Sequence, residues 1–162
     1  MRKNLIGLID ACCEAIENPN YRPRADGTTF CNIFVDAVAV KVFGNHDFDG
    51  LTADQIYAFC ESHADKYTEI QMGEAQDMAN QGSFVIAAAT ATMVNQSDGH
   101  VCVIRPGLLK DSGKWGPCPS VCNIGRQNFI GRAPSGPIQG MPAGVNEAFQ
   151  PMPKFFAWRG SL

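Results

Sequence analysis

Apolar residues recur every three or four positions through the first half of this chain and every second position through much of the second half. Leu5, Ile6, Leu8, Ile9, Cys12, Cys13 and Ile16 alternate with Asp10, Glu14 and Glu17, which predicts an amphipathic helix over 3–17. Asn18-Pro19-Asn20 ends it. After a polar loop, residues 29–43 read as a helix that is apolar on most sides and therefore buried, with Thr28 or Thr29 as its cap. The turn over 44–51 imitates a calcium loop in Asn45, Asp47, Asp49 and Gly50, but Ile56 stands where the bidentate glutamate belongs. A turn is expected there, followed by a capping box, Thr52-Ala-Asp-Gln55, that opens a helix over 53–64. One more helix is expected over 73–80. Beyond Gly82 the period falls to two, and strands are expected over 84–90, 99–105, 120–124 and 154–159. A long turn joins the second and third of these over 108–119. A proline- and glycine-rich loop covers 131–153, with one turn around 146–149. Helices first and strands after is the α+β pattern with an antiparallel sheet.

Composition narrows the function classes. A chain of 162 residues is expected to form one domain over 1–162 with a core of its own. A net charge of −3, with no basic patch, argues against a nucleic-acid partner. The longest apolar run, 84–89, is too short to span a bilayer, so no integral membrane segment is expected. Acidic residues interrupt the first helix, which leaves no continuous apolar core for a Sec signal. Seven cysteines, an odd number with two adjacent, suit reduced thiols better than a disulfide scaffold. A zinc site from Cys118 and Cys122 with Cys102 or His100 lacks any paired C-x-x-C, and no metal or other cofactor is expected.

The candidate chemistry begins at Cys31, in the first turn of the apolar helix. The dipole and free N–H groups of such a turn favour thiolate over thiol. A nucleophile of this kind needs a base, and the base needs a third group to hold its ring. Of three histidines, His46 lies in the acidic turn and His63 near a helix end. His100 follows Gly99 and opens a strand at the rim of the sheet. Period-two geometry puts His100, Cys102 and Ile104 on one face and Val101 and Val103 on the other. If the helix packs on the His100 face, Cys31 and His100 meet. Asn123, on the third strand, is the candidate orienter, with Gln127, Asn128 and Asp98 in reserve.

The order Cys31 at a helix start (Phe-Cys31-Asn-Ile-Phe-Val), then Gly-His100-Val-Cys-Val-Ile-Arg-Pro, then Asn123 resembles the NlpC/P60 and CHAP group of papain-like cysteine peptidases. The resemblance spans residues 20–130, and residues 155–158 resemble a closing strand. The overall plan is similar to type VI secretion amidase effectors and some phage lysins. It implies a papain-like α+β fold and hydrolysis of amide bonds in peptidoglycan stem peptides. In that scheme Cys31 is nucleophile, His100 base and Asn123 the third polar residue. Tyr21 matches an upstream tyrosine beside the nucleophile, and Trp115 is a candidate substrate wall in the 107–119 loop. The resemblance further implies synthesis in the cytoplasm without a Sec signal, and action in the periplasm or cell wall after signal-independent export or phage release. A peptidoglycan peptide is the expected substrate, and an immunity or inhibitor protein a further partner. The chain departs from the group at the common Asp-Cys-Ser-Gly motif, replaced by Phe30-Cys31-Asn32-Ile33, and at Ala25, where papain-type enzymes place a glutamine. The same constellation also serves acyltransferases and deamidases, and a binding module with Cys31 and His100 in its core is the non-enzymatic alternative.

Overall fold

A computed structural model describes residues 2–126, 128–130 and 144–162. The chain is α+β. Helix α1 (Arg2–Glu17) runs into a short 3-10 turn (Pro19–Tyr21), and helices α2 (Cys31–Phe43) and α3 (Ala53–Ser62) follow. Strand β1 (Tyr67–Ile70), helix α4 (Met72–Asn80), strand β2 (Val85–Ala89), the single-turn helix α5 (Ala91–Val94) and strand β3 (His100–Ile104) come next. Strands β4 (Lys110–Ser112) and β5 (Gly116–Cys118) form a hairpin, ahead of β6 (Val121–Asn123), β7 (Phe129–Ile130), α6 (Val145–Ala148) and β8 (Lys154–Trp158).

Six strands make one sheet in the order β1-β8-β2-β3-β6-β7, with every neighbouring pair antiparallel. The expected alternation decides its two faces. Val101 and Val103 of β3 and Cys122 of β6 face a core built with Leu8 and Cys12 of α1, Phe34, Val35 and Val38 of α2, and Ile56 of α3. Cys102, Ile104 and Val121 face a second core with Ala75 and Ala79 of α4, Val145 of α6 and Phe149. Helices thus cover both faces, which explains why Val85 to Ala89 is buried at every position.

Several expectations change. Helix α2 begins at Cys31, two residues later than expected, and its N-cap is Phe30, whose ring supplies no cap; neither threonine serves. Its outer side is not buried, since Ile33 is 50% exposed. Gly44 closes it in the left-handed conformation (φ 64°), donating its N–H to Val40 O at 2.9 Å. Thr52 and Gln55 do form the capping box of α3. Strand β1 is an addition to the expected elements, because four residues between two helices give period two no room to show. The 108–119 turn contains the β4–β5 hairpin, and the turn near 146–149 is α6. Residues 131–143 of the expected long loop lie outside the described residues.

The 44–51 turn is a structural staple. Asn45 is buried and donates through Nδ2 to Tyr67 Oη (2.7 Å), while Tyr67 Oη and Lys66 Nζ donate to Asp47. Two of the supposed calcium ligands are therefore spent on β1 and the residue ahead of it. Among the described residues no group of three or more His, Cys, Asp or Glu side chains is arranged to hold a metal ion, and no helix is long and apolar enough to cross a membrane. All seven cysteines are free; Cys102 and Cys118 face one core and Cys122 the other, so the zinc set is split by the sheet.

Candidate functional site

The decisive contact is between His100, first residue of β3, and Asn123, last residue of β6. His100 Nε2 lies 2.6 Å from Asn123 Oδ1. An amide oxygen only accepts, so Nε2 carries the hydrogen and the lone pair of the neutral ring is on Nδ1. Strands β3 and β6 are neighbours in the sheet with Val103 opposite Cys122. Both side chains therefore project at the same rim, on the face of the second core. Two residues not singled out from sequence complete the enclosure. The Phe149 ring sits against the imidazole with centroids 5.0 Å apart. Gly125 approaches so closely that a Cβ there would lie 3.0 Å from His100 Cε1. A glycine two residues past a strand asparagine is the only trace of this in the sequence.

Burial, opposed by the Asn123 hydrogen bond, holds the His100 pKa below the usual 6.5. The ring is neutral at pH 7.

Cys31 sits at the first position of α2, 5% exposed. Burial raises its thiol pKa above the ordinary value, and the nearby N–H groups of Val101, Asn32 and Cys31 itself offset this only in part. The expectation of a helix-start thiolate is corrected: desolvation outweighs the dipole, and the resting residue is a neutral thiol. The packing condition is corrected as well. Helix α2 covers the Val101–Val103 face, not the His100 face, so thiol and imidazole approach the rim from opposite sides of β3. The thiol lies at Val101, one residue from His100, and no hydrogen bond joins it to the ring.

A cleft of about 690 Å³ opens along this rim. Its walls include Thr28 and Thr29, just ahead of the Cys31 turn, and Asp98, His100, Asn123 and Phe149. That volume suits a small ligand or a short peptide segment. No family model and no curated protein sequence matches this chain.

Tyr21 lies elsewhere. Its ring packs edge-on against Phe34 (5.9 Å) and lines a separate pocket of about 130 Å³ between α1 and α2. Trp115 packs against the second core with Lys114 Nζ 5.0 Å from its ring centroid, anchoring the hairpin outside the cleft. Among the reserves, Asn128 is committed to the Gly125 N–H and Tyr21 O, and Asp98 accepts from Ser97 Oγ. Gln127 lies outside the described residues. His63 stacks on Phe59 with ring centroids 4.0 Å apart and bonds its carbonyl, a purely structural setting, and His46 is exposed.

Proposed function

We propose that the protein is a papain-like cysteine hydrolase that cuts amide bonds in peptidoglycan stem peptides, with Cys31 as nucleophile, His100 as base and Asn123 as orienter. The observation that carries this reading is the 2.6 Å bond from His100 Nε2 to Asn123 Oδ1. It leaves the Nδ1 lone pair to serve as a base, and the cleft that His100 lines is also lined by Thr28 and Thr29, ahead of Cys31. A cysteine opening a helix that lies on an antiparallel sheet, with histidine and asparagine on adjacent strands, supports the papain-like fold. The substrate class rests on the sequence resemblance.

In this mechanism the Cys31 S–H proton passes to His100 Nδ1 as sulfur attacks the scissile carbonyl carbon. The Cys31 N–H, together with a second donor, receives the developing oxyanion. The imidazolium then gives its proton to the leaving amine, and a thioester is left on Cys31. Water, deprotonated by His100, attacks the thioester; the acid departs and the proton returns to sulfur. A neutral thiol and neutral imidazole suit concerted general-base attack rather than a standing ion pair. Catalytic hydrogen bonds are commonly long in unliganded sites and tighten on substrate, and the step requires Sγ to reach Nδ1.

One observation favours a second reading, a non-catalytic binding module: Cys31 is buried, neutral and without a hydrogen bond to His100. Digestion of purified peptidoglycan by wild type and Cys31→Ala, with products identified by mass spectrometry, separates the two. New stem-peptide fragments with wild type alone are expected. No fragments from a folded protein would overturn the peptidoglycan reading. Iodoacetamide labelling of Cys31 only on substrate analogue binding would then favour an acyltransferase or deamidase, and no labelling would favour the binding module.

A further inference from the structure

The connection between β2 and β3 delivers His100 to its place, and a residue of α3 holds that connection. Asp54 stands in the first turn of α3, where a carboxylate ordinarily serves the N–H groups of its own helix. Here Thr52 and Gln55 already cap α3, and both Asp54 oxygens are turned to another segment. Oδ1 accepts the N–H of Ala91 at 2.8 Å, and Oδ2 accepts the N–H of Gly99 at 2.7 Å. One carboxylate thus ties together the two ends of the loop over 91–99. Gly99 is wedged at that tie. A Cβ on it would fall 2.7 Å from both Ala89 O and Asp54 Oδ2, so no other side chain fits without moving the strand start or the carboxylate. The residue after this junction is His100.

We propose that Asp54 is a positioning residue: by clamping Gly99 it fixes where β3 begins, and hence the Nε2-to-Asn123 bond and the aim of Nδ1 from His100. Two charge-assisted bonds on a carboxylate make a stiffer fixture than the neutral turn bonds around it. Asn at this position accepts one N–H through its oxygen and opposes the second with its NH₂ group, with almost no change in volume. The kinetic consequence rests on the hydrolase reading; the effect on the ring does not.

The experiment measures the His100 ring ¹⁵N shifts at pH 8 in wild type, Asp54→Asn and Gly99→Ala, assigned with His100→Gln. Wild type is expected to show the Nε2–H tautomer alone, and both variants a mixture of tautomers. Gly99→Ala strains the same junction against Ala89 O as well as Asp54 Oδ2, so Asp54→Glu, which keeps the charge but displaces both oxygens, decides the matter by the same tautomer measurement should Asp54→Asn fail to fold. On peptidoglycan, Asp54→Asn is expected to lose on the order of 10²-fold in kcat with KM within about twofold, since misplacement of a reacting group acts on chemistry rather than binding. In a His100→Ala background it should cost nothing more. A folded Asp54→Asn that keeps the single tautomer, with only its Tm lowered, would overturn the proposal. A wild type that cuts no amide bond would overturn the hydrolase reading alone, and the tautomer measurement would still decide the role of Asp54.

Discussion

Replacing Asn123 by alanine removes the acceptor on which the site's geometry depends. Asn123 is 4% exposed and its oxygen is 2.6 Å from a half-buried imidazole nitrogen. A hydrogen bond of this kind contributes about 0.5–1.5 kcal/mol net, and a donor left stranded in the interior costs about 1–3 kcal/mol. His100 and Asn123 both border the cleft, so water can reach the orphaned Nε2–H and hold the penalty near the lower end. The stability loss should be about 1–2 kcal/mol, which for a domain of this size lowers Tm by roughly 2–8 °C. The same 1–2 kcal/mol, felt in the transition state as a ring free to turn, lowers kcat by roughly 5- to 30-fold. Differential scanning calorimetry and, on the proposed hydrolase reading, stem-peptide hydrolysis measure the two effects on one preparation. Asn123→Asp separates orientation from charge: it keeps an acceptor of the same shape but raises the His100 pKa, so the acid limb of kcat/KM should move to higher pH. An alanine variant that melts and turns over like wild type would refute the reasoning, because the 2.6 Å contact would then carry neither stability nor aim.

Cysteine labelling at pH 7 should modify exposed Cys13 first. Cys31, buried with its pKa raised above the usual thiol value, should react slowly at that pH; rapid selective labelling of Cys31 would contradict its burial. The pH dependence of stability has a definite sign: the folded His100 pKa lies below the unfolded value of about 6.5, so the unfolded state binds more protons below that pH. Its contribution is complete above pH 6.5 and is lost as the pH falls, so the urea-midpoint difference between wild type and His100→Gln should shrink from pH 8 to pH 5. Asn45→Ala removes the donor to the Tyr67 hydroxyl, which keeps its own bond to Asp47, and should destabilise by about 0.5–1.5 kcal/mol in chemical denaturation. Millimolar calcium should leave the wild-type Tm unchanged, since Asn45 and Asp47 are already bound to Tyr67 and Lys66.

Some of this site is legible in the sequence, and the rest is hidden for physical reasons. Period two correctly divides β3 and β6 into their two faces and makes Asn123 a candidate partner for His100, but which face of β6 meets the His100 face is set by the register, with Val103 opposite Cys122. It does not say which face α2 covers, since a strand buried on both sides has apolar residues on each. A helix-start cysteine suggests a thiolate only while the turn is open to water, and the thiol is instead buried against β3, distant in the chain. The resemblance implies a place for Tyr21 beside the nucleophile but says nothing of its packing; Phe34, also aromatic and close by, claims the ring. Asp54 reads as part of a capping box because local spacing reports on its own helix and is silent about Gly99.

The position of β8 in the sheet has a consequence for biosynthesis. This strand begins at residue 154, yet it lies between β1 and β2, with Phe156 in one core and Phe155 and Ala157 in the other. As the chain leaves the ribosome at about 5–20 residues per second, helices α1 to α3 and strands β1 to β3 emerge with a gap where β8 belongs. The open edges of β1 and β2 stay available for pairing with other strands for several seconds, a period in which a chaperone can hold the chain. Neither core closes until residue 158 is free, so the protein acquires its cleft only after translation has passed that point.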